Sequence, residues 1–199
     1  LQLTLTLGTW SMFFFLVEQV GVLELKVSHV ARNYFMLAFT VAQGVNQTTR
    51  TFVSTLLGEA RGSELPHTLK RLFTVNLIGI VLLSHGLFIY PEWLAAPFFN
   101  DAEGLEAAGK TLPVIFLAML IYSGSSVMLS AIQGSGHTRT ALAIEVSAIL
   151  VYSVCAFSFT LWWPQPVWRI WWVEFSYFST MGAGCAWFLL RRDWRSKQI

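Results

Sequence analysis

Two glutamates stand inside long apolar stretches of this sequence and are the first residues that could do chemistry. Glu145 has Tyr152 seven residues later, on the same face if the stretch is helical. Glu174 has Tyr177 close by in a second apolar stretch. A carboxyl group in such surroundings can bind a cation, carry a proton or pair with an arginine. Both glutamates, and Tyr152 with them, are therefore candidate ion-binding residues.

A dense run of polar side chains in a third stretch is the other candidate. Gln43, Asn46, Gln47 and Arg50 recur at i, i+3, i+4 and i+7, which places them on one broad helical face. That face lines either a water-filled cavity or a hydrogen-bonded contact with another helix, in which Arg50 reaches along its stem toward water. Gln43, Asn46 and Arg50 are accordingly candidate binding residues.

The composition indicates the solvent in which these residues lie. The chain of 199 residues is 55% hydrophobic and only 12% charged, whereas a soluble domain carries about 25% charged residues. So little polar surface suits a lipid bilayer, in which all backbone polar groups are satisfied within helices or closed barrels. An ionisable group at membrane depth is costly, so each of the candidates above is a functional hypothesis. Glu174 lies near the outer end of its segment and can instead simply reach the wet interface.

Several function classes lack their signatures. The net charge of +2 and the scattered basic residues do not indicate a nucleic-acid partner. Cys155 and Cys185 form no CxxC or Cys/His cluster, so we expect two buried thiols and no metal site. No H-E-x-x-H or G-x-S-x-G motif occurs. We expect neither an enzyme nor a resident cofactor.

The apolar segments have the length of membrane-spanning helices, which need about 20 residues. They do not alternate polar and apolar residues as barrel strands do. The sequence therefore predicts an all-α membrane protein with six transmembrane helices, at about 1–23, 34–57, 72–90, 105–132, 138–162 and 168–190.

The charged loops predict the orientation of these helices. The links at 59–71 and 135–140 and the tail from Arg191 fall on one side, which is the richer in Lys and Arg. By the positive-inside rule that side is cytoplasmic, and the C-terminus with it. Tryptophans, which favour membrane interfaces, gather at the predicted outer side: Trp93, Trp162, Trp163, Trp168, Trp171 and Trp172.

Small residues predict where helices approach one another closely. Ser126, Ser130 and Gly134 are spaced by four in the fourth segment, and Gly182 and Ala186 repeat the spacing in the sixth. Such a row lets two helix backbones come into contact in lipid. We interpret these residues as packing residues without a chemical role.

Three motifs, in order along the chain, carry a resemblance to a known family. The first is Val41-Ala42-Gln43-Gly44-Val45 with the run TFVSTLLGEARG at 51–62, and the second is the run MLSAIQGSGHTR at 128–139. The third is a tryptophan followed by a basic tail, in the run WFLLRRDWRSK at 187–197. Together they resemble the C-terminal six-helix lobe of the MATE family, the multidrug and toxic compound extrusion transporters.

The resemblance implies half of a twelve-helix secondary antiporter of the inner membrane. Two six-helix bundles would rock around a central cavity and exchange H⁺ or Na⁺ for organic cations, a mechanism suited to paired repeats. The chain, which begins without Met, would be a single lobe over 1–199 whose N-terminal lobe is absent. Many family members carry acidic residues midway along the first and fourth helices of this lobe. Thr6 and Tyr122 occupy about those places here, so coupling would rest on the absent half or on Glu145 and Glu174.

The leading hypothesis is a cation-coupled antiporter that exports small organic cations across the lipid bilayer. Protonation of Glu145, or cation binding there, would shift the balance between inward- and outward-open states, while Gln43, Asn46 and Arg50 line the path. The alternatives are a lipid-linked oligosaccharide flippase of the same superfamily and a non-transporting structural subunit. A flippase would need several Arg or Lys in its cavity to hold a pyrophosphate, and Arg50 is the one strong candidate.

Overall fold

A computed structural model describes residues 2–191 and residue 194, with side chains from Leu7 onward. Every regular element in this part of the chain is helical. Six long helices correspond to the six predicted spans, and shorter helices join some of them. The helices are α1 (Gln2–Val20), α2 (Val22–Gly58), α3 (Leu65–Ser84), α4 (Gly86–Ile89), α5 (Pro91–Ala95), α6 (Ala102–Gly134), α7 (Thr138–Phe157), α8 (Val167–Ile170) and α9 (Val173–Arg191).

The helix α2 is longer than predicted, because it begins at Val22 rather than near 34. A single extended residue, Gly21 with φ 169°, separates it from α1. The charged stretch after Gly21 remains helical because its other face, with Val27 and Ala31, is buried. At 37 residues the helix is roughly 55 Å long, which exceeds the bilayer core of about 30 Å. The helix α2 is therefore longer than a span perpendicular to the membrane requires.

The third predicted span is interrupted near its outer end. Its helix α3 ends at Ser84, and the short helices α4 and α5 follow. Pro91 lies in the first turn of α5, where its missing N–H is not needed. Apolar side chains of this region are exposed, including Phe88, Ile89 and Trp93. Their place at this end of the bundle suits a membrane interface.

The helix α6 forms the centre of the bundle, with α2, α3 and α9 packed around it. The helix α7 lies at the periphery against α9 and α1. In the most apolar stretch of each helix, 61% of the residues of α6 are buried, compared with only 22% of those of α7. Leu150 and Val154 on α7 are exposed, so this helix presents an apolar face to the surroundings. Such a face is expected of a protein whose solvent is lipid.

Two segments of the described chain are long and apolar enough to cross a membrane by these properties alone, Ala102–Gly134 and Thr138–Trp162. The second comprises α7 and a π-helical turn over Ser158–Trp162. The polar face of α2, the basic start of α3 and Glu174 on α9 lower the hydropathy of those helices. The polar side chains of these helices therefore need hydrogen-bond partners on neighbouring helices or in water.

Close contacts between helices occur where the small-residue spacing predicts them. A Cβ atom added to Gly134 would lie 2.7 Å from the carbonyl oxygen of Arg50, so α6 and α2 meet backbone to backbone there. A Cβ on Gly182 would lie 3.2 Å from the Cβ of Ser125, which brings α9 against α6. Ser126 and Ser130 are buried in the same region.

The predicted tryptophan belt has one exception. Trp93, Trp162, Trp163 and Trp172 are exposed, as interface residues would be. Trp171 is instead buried, and its indole N–H donates to the Ser28 hydroxyl at 3.0 Å. A buried partner on α2 satisfies the polar atom of Trp171, so this tryptophan packs in the core while the others are exposed.

A small ion cluster closes the link between α2 and α3. The Arg61 guanidinium contacts the carboxylates of Glu59 and Glu64, each at 2.7 Å. Hydrogen bonds from Arg61 hold the pKa of the Glu64 carboxyl below its ordinary value. A lowered folded-state pKa means that this pair stabilises the turn at neutral pH and is lost as the pH falls through the lowered value. All three groups are exposed, so the contribution is small.

Candidate functional site

The polar face of α2 divides into a buried part and an exposed part. Asn46 is 4% exposed, and its side-chain N–H donates to the Tyr122 hydroxyl on α6 at 3.4 Å. The Oδ1 atom of Asn46 is buried and has no hydrogen-bond partner among the described residues. Arg50 is half-buried and donates through Nε to the backbone carbonyl of Asn46 at 3.4 Å. Asn46 and Arg50 therefore belong to the contact between α2 and α6, which is one of the two alternatives open from the sequence.

Gln43 and Gln47 belong to the exposed part. Their exposure is consistent with the other alternative, in which the face lines a water-filled cavity. Three threonines that the sequence analysis did not single out extend this surface, and each donates to the carbonyl four residues earlier: Thr40, Thr48 and Thr51. The threonines are thus satisfied by their own helix, whereas the glutamine amides are not. An amide that faces hydrocarbon without a partner is costly. The exposed polar face of α2 (Thr40, Gln43, Gln47, Thr48 and Thr51) therefore meets water or another protein surface. The helical period of 3.6 residues could have identified these threonines from the sequence.

Cysteine labelling distinguishes water from lipid at this face. In a variant without Cys155 and Cys185, we expect Gln47→Cys to react with a charged, water-soluble maleimide. Leu150→Cys is the control, because Leu150 is similarly exposed but lies on the apolar face of α7. It should react only with a lipid-soluble reagent. Equal protection of both cysteines from the charged reagent would exclude a wet face on α2.

Glu174 lies inside the bundle and does not extend into the wet interface. It is 3% exposed, and its Oε1 accepts a hydrogen bond from the Tyr152 hydroxyl at 3.3 Å. The contact joins α9 to α7. In the part of the chain that the structure describes, no Lys or Arg lies within salt-bridge distance of Glu174. The structure thus brings together Tyr152 and Glu174, which the sequence had placed on different segments.

Glu145 is also buried, at 5% exposure, on the side of α7 that faces the bundle. It lies within electrostatic range of the hydroxyl groups of Tyr122 and Tyr177 and of the Cys185 thiol. Tyr177 in turn is within range of Glu174. Tyr177 thus lies within electrostatic range of both carboxyl groups and of Tyr122, which is hydrogen-bonded to Asn46 on α2. Sequence spacing alone could not show this connection, since its members come from four helices.

A small cavity of about 20 Å³ adjoins this cluster. Such a volume is enough for one water molecule. Glu174 and Tyr177 line it from α9, and Tyr152 and Ile149 line it from α7. Thr9 and Trp10 close it from α1. The sequence analysis missed Thr9 and Trp10, because nothing in their local pattern differs from the rest of an apolar helix.

Aromatic rings form a continuous series beside Tyr122. Phe39 stacks on Tyr122 with ring centroids 5.5 Å apart, and Tyr122 contacts Phe178 at 4.8 Å. Phe178 also stacks on Phe35 at 6.3 Å. The series leads from the half-buried Phe39 on α2 into the core. Ring faces of this kind can attract an organic cation.

Two further residues complete the comparison with the sequence. Tyr122 lies at the place where the resemblance implies an acidic residue. It is buried, and its hydroxyl accepts a hydrogen bond from Asn46. The side chain of Thr6 lies outside the described residues, as do Arg192, Asp193, Arg195 and Lys197 of the predicted basic tail. Within the described residues no group of three or more His, Cys, Asp or Glu could hold a metal ion.

The helical bundle, with its exposed apolar faces, is that of a helical membrane protein. The MatE family model matches residues 2–157 of the chain. This match covers α1 to α7 and more than half of the sequence, so the chain belongs to the MatE family of membrane transporters. Glu145 and Tyr152 lie inside the matched region, whereas Glu174 lies beyond it. No curated protein and no solved structure matches the chain.

Proposed function

We propose that this chain is the C-terminal lobe of a cation-coupled antiporter, H⁺- or Na⁺-driven, that exports organic cations across the inner membrane. The observation that carries the proposal is the connection of the buried carboxyl groups of Glu145 and Glu174 to α2, which it reaches at Asn46 on the buried part of the polar face. The connection runs through Tyr177, Tyr122 and Asn46. An ion bound at the carboxyl groups can thus influence the surface that a substrate would meet.

Glu145 is the residue at which we place coupling. It lies within electrostatic range of Tyr122, and Tyr122 accepts the hydrogen bond from Asn46. Neutralising Glu145 changes the field at that hydroxyl and hence the balance of bonds between α6 and α2. A bound ion moves the protein between two states only if it binds one of them more tightly. A contact between helices that responds to the charge at Glu145 supplies such a difference.

The exposed polar face of α2 would line the central cavity, opposite an N-terminal lobe that completes the transporter. Its amides and hydroxyls can exchange hydrogen bonds with water and with a polar substrate. The aromatic series that starts at Phe39 would offer ring faces to a flat cation. This surface favours organic cations over a lipid-linked pyrophosphate, which would require several basic side chains. It also disfavours a purely structural subunit, because a structural role does not require a water-exposed polar surface within a membrane-spanning helix.

The positions of the helix ends support a proposed orientation. The close contact of Gly134 with Arg50 brings the end of α6 to the end of α2. Trp171 and Ser28 join the opposite ends of the bundle. The basic residues Lys70, Arg71, Arg139 and Arg191 then lie at the end marked by Gly134. We propose that this end, and the C-terminus with it, is cytoplasmic.

Transport by the whole protein in liposomes tests the proposal. We expect an organic cation such as ethidium to dissipate an imposed pH gradient or Na⁺ gradient, whichever ion couples. Liposomes without protein provide the baseline. Flipping of a lipid-linked oligosaccharide, with no response to ethidium under either gradient, would instead support the flippase.

A further inference from the structure

The cavity between α1, α7 and α9 lies beside Glu174, and the coupling scheme above, which rests on Glu145, assigns it no role. Its one carboxylate, Glu174, is buried. Oε1 of Glu174 accepts the Tyr152 hydrogen bond, and Glu174 accepts no other side-chain hydrogen bond in the described part of the chain. A buried carboxylate can accept several hydrogen bonds, so a single one leaves most of its capacity unused. The unused capacity lies beside a cavity of about 20 Å³.

We infer that this cavity is a proton-binding site in which Glu174 holds one proton and one water molecule. The inference rests on the proposed cation coupling and adds to Glu145 a second, separate carrier. Because Oε1 accepts from Tyr152, the proton is placed on Oε2. A hydronium ion that enters the cavity transfers its proton to Oε2, and the water that remains accepts a hydrogen bond from the new O–H group. Charge and atoms balance, since one cation enters and one anion is neutralised.

The lining of the cavity favours a proton over a metal cation. Trp10 and Ile149 present no side-chain oxygen. Glu174, Tyr152, Tyr177 and Thr9 together present five side-chain oxygens, which is fewer than the six or more that a hard cation such as Ca²⁺ takes. A water molecule needs only two to four polar partners. An isolated carboxylate is costly to bury, and a proton removes that cost.

The titratable groups around Glu174 come from three helices. Tyr152 donates to it from α7, and Tyr177 lies on α9 itself, within electrostatic range of Glu174, of Glu145 on α7 and of Tyr122 on α6. The lining residues of α1, Thr9 and Trp10, do not titrate. Glu145 is therefore related to Glu174 through Tyr177, which lies within range of both carboxyl groups.

Infrared difference spectroscopy of the whole protein in nanodiscs tests this site without any transport assay. At neutral pH we expect a C=O stretching band of a protonated carboxyl that Glu174→Gln removes entirely. Tyr152→Phe should shift the frequency of that band, because Oε1 loses its hydrogen bond, and leave its area unchanged. Glu18→Gln is the matched control, since Glu18 is exposed on α1, and should leave the band unaltered.

Two results would overturn the inference. One is a spectrum in which neither Glu174→Gln nor Tyr152→Phe affects a protonated carboxyl band. The other is a carboxylate band that responds to added Na⁺ and disappears in Glu174→Gln, which would make the cavity a sodium site. If Glu174→Gln does not fold, the frequency shift in Tyr152→Phe decides alone. Loss of transport with the band intact would count against the proposed function and not against this site.

Discussion

Replacing Glu145 with glutamine is expected to abolish gradient-driven export while the protein remains folded in the membrane. Glutamine keeps the shape of the side chain and removes its charge, so the field at Tyr122 no longer depends on a bound ion. Coupling between two sites amounts to about 5- to 150-fold in affinity; the variant loses this factor, and we expect its export under an imposed gradient to fall to the level of liposomes without protein. The measurement is ethidium-dependent dissipation of the gradient in liposomes.

The control for this variant is Glu18→Gln. Glu18 is exposed, so the same change of charge there should leave export intact. Thermal unfolding of both variants, followed by size-exclusion chromatography in detergent, separates loss of coupling from loss of fold. Full export by a folded Glu145→Gln protein would refute the assignment of coupling to Glu145. Binding of ethidium without a gradient should persist in the variant, because the exposed polar face of α2 is unchanged.

The largest loss of stability from a single methyl group is expected at Gly134. In Gly134→Ala the new Cβ would lie 2.7 Å from the Arg50 carbonyl oxygen and 3.0 Å from its Cα. Both neighbours are backbone atoms, so α2 and α6 have to move apart. Overpacking of this kind costs about 1–3 kcal/mol, which lowers the melting temperature of a domain of this size by about 2–4 °C for each kcal/mol. Thermal unfolding in detergent measures the shift.

A matched alanine substitution at Gly44 separates sterics from helix propensity. Gly44 lies within α2, and a Cβ there would meet nothing within 4 Å. Alanine is favoured over glycine inside a helix by about 0.5–1 kcal/mol. We therefore expect Gly44→Ala to raise the melting temperature slightly. An equal decrease in both variants would show that the contact between α2 and α6 does not limit stability.

The sequence by itself determined the class of protein and the approximate position of each long helix. Apolar length and low charge suffice for this, because a segment must satisfy its own backbone hydrogen bonds in lipid regardless of its neighbours. The small-residue spacing also located the contact at Gly134, since a row spaced by four occupies one helix face. Helix boundaries were less predictable. The extension of α2 to Val22 depends on burial of Val27 and Ala31, which is a property of the packed bundle.

The tertiary structure decided which polar residues act together. Gln43 and Asn46 are equivalent in the helical pattern, yet one is exposed and the other is buried against Tyr122, because α6 packs against only part of that face. Trp171 was assigned to the interface until its partner Ser28, far away in sequence, was known. The same holds for Glu174, whose partner Tyr152 and whose cavity residues Thr9 and Trp10 come from other helices. Periodicity describes one helix at a time, whereas a buried polar site is formed by several, so only the packing of the helices could bring its residues together.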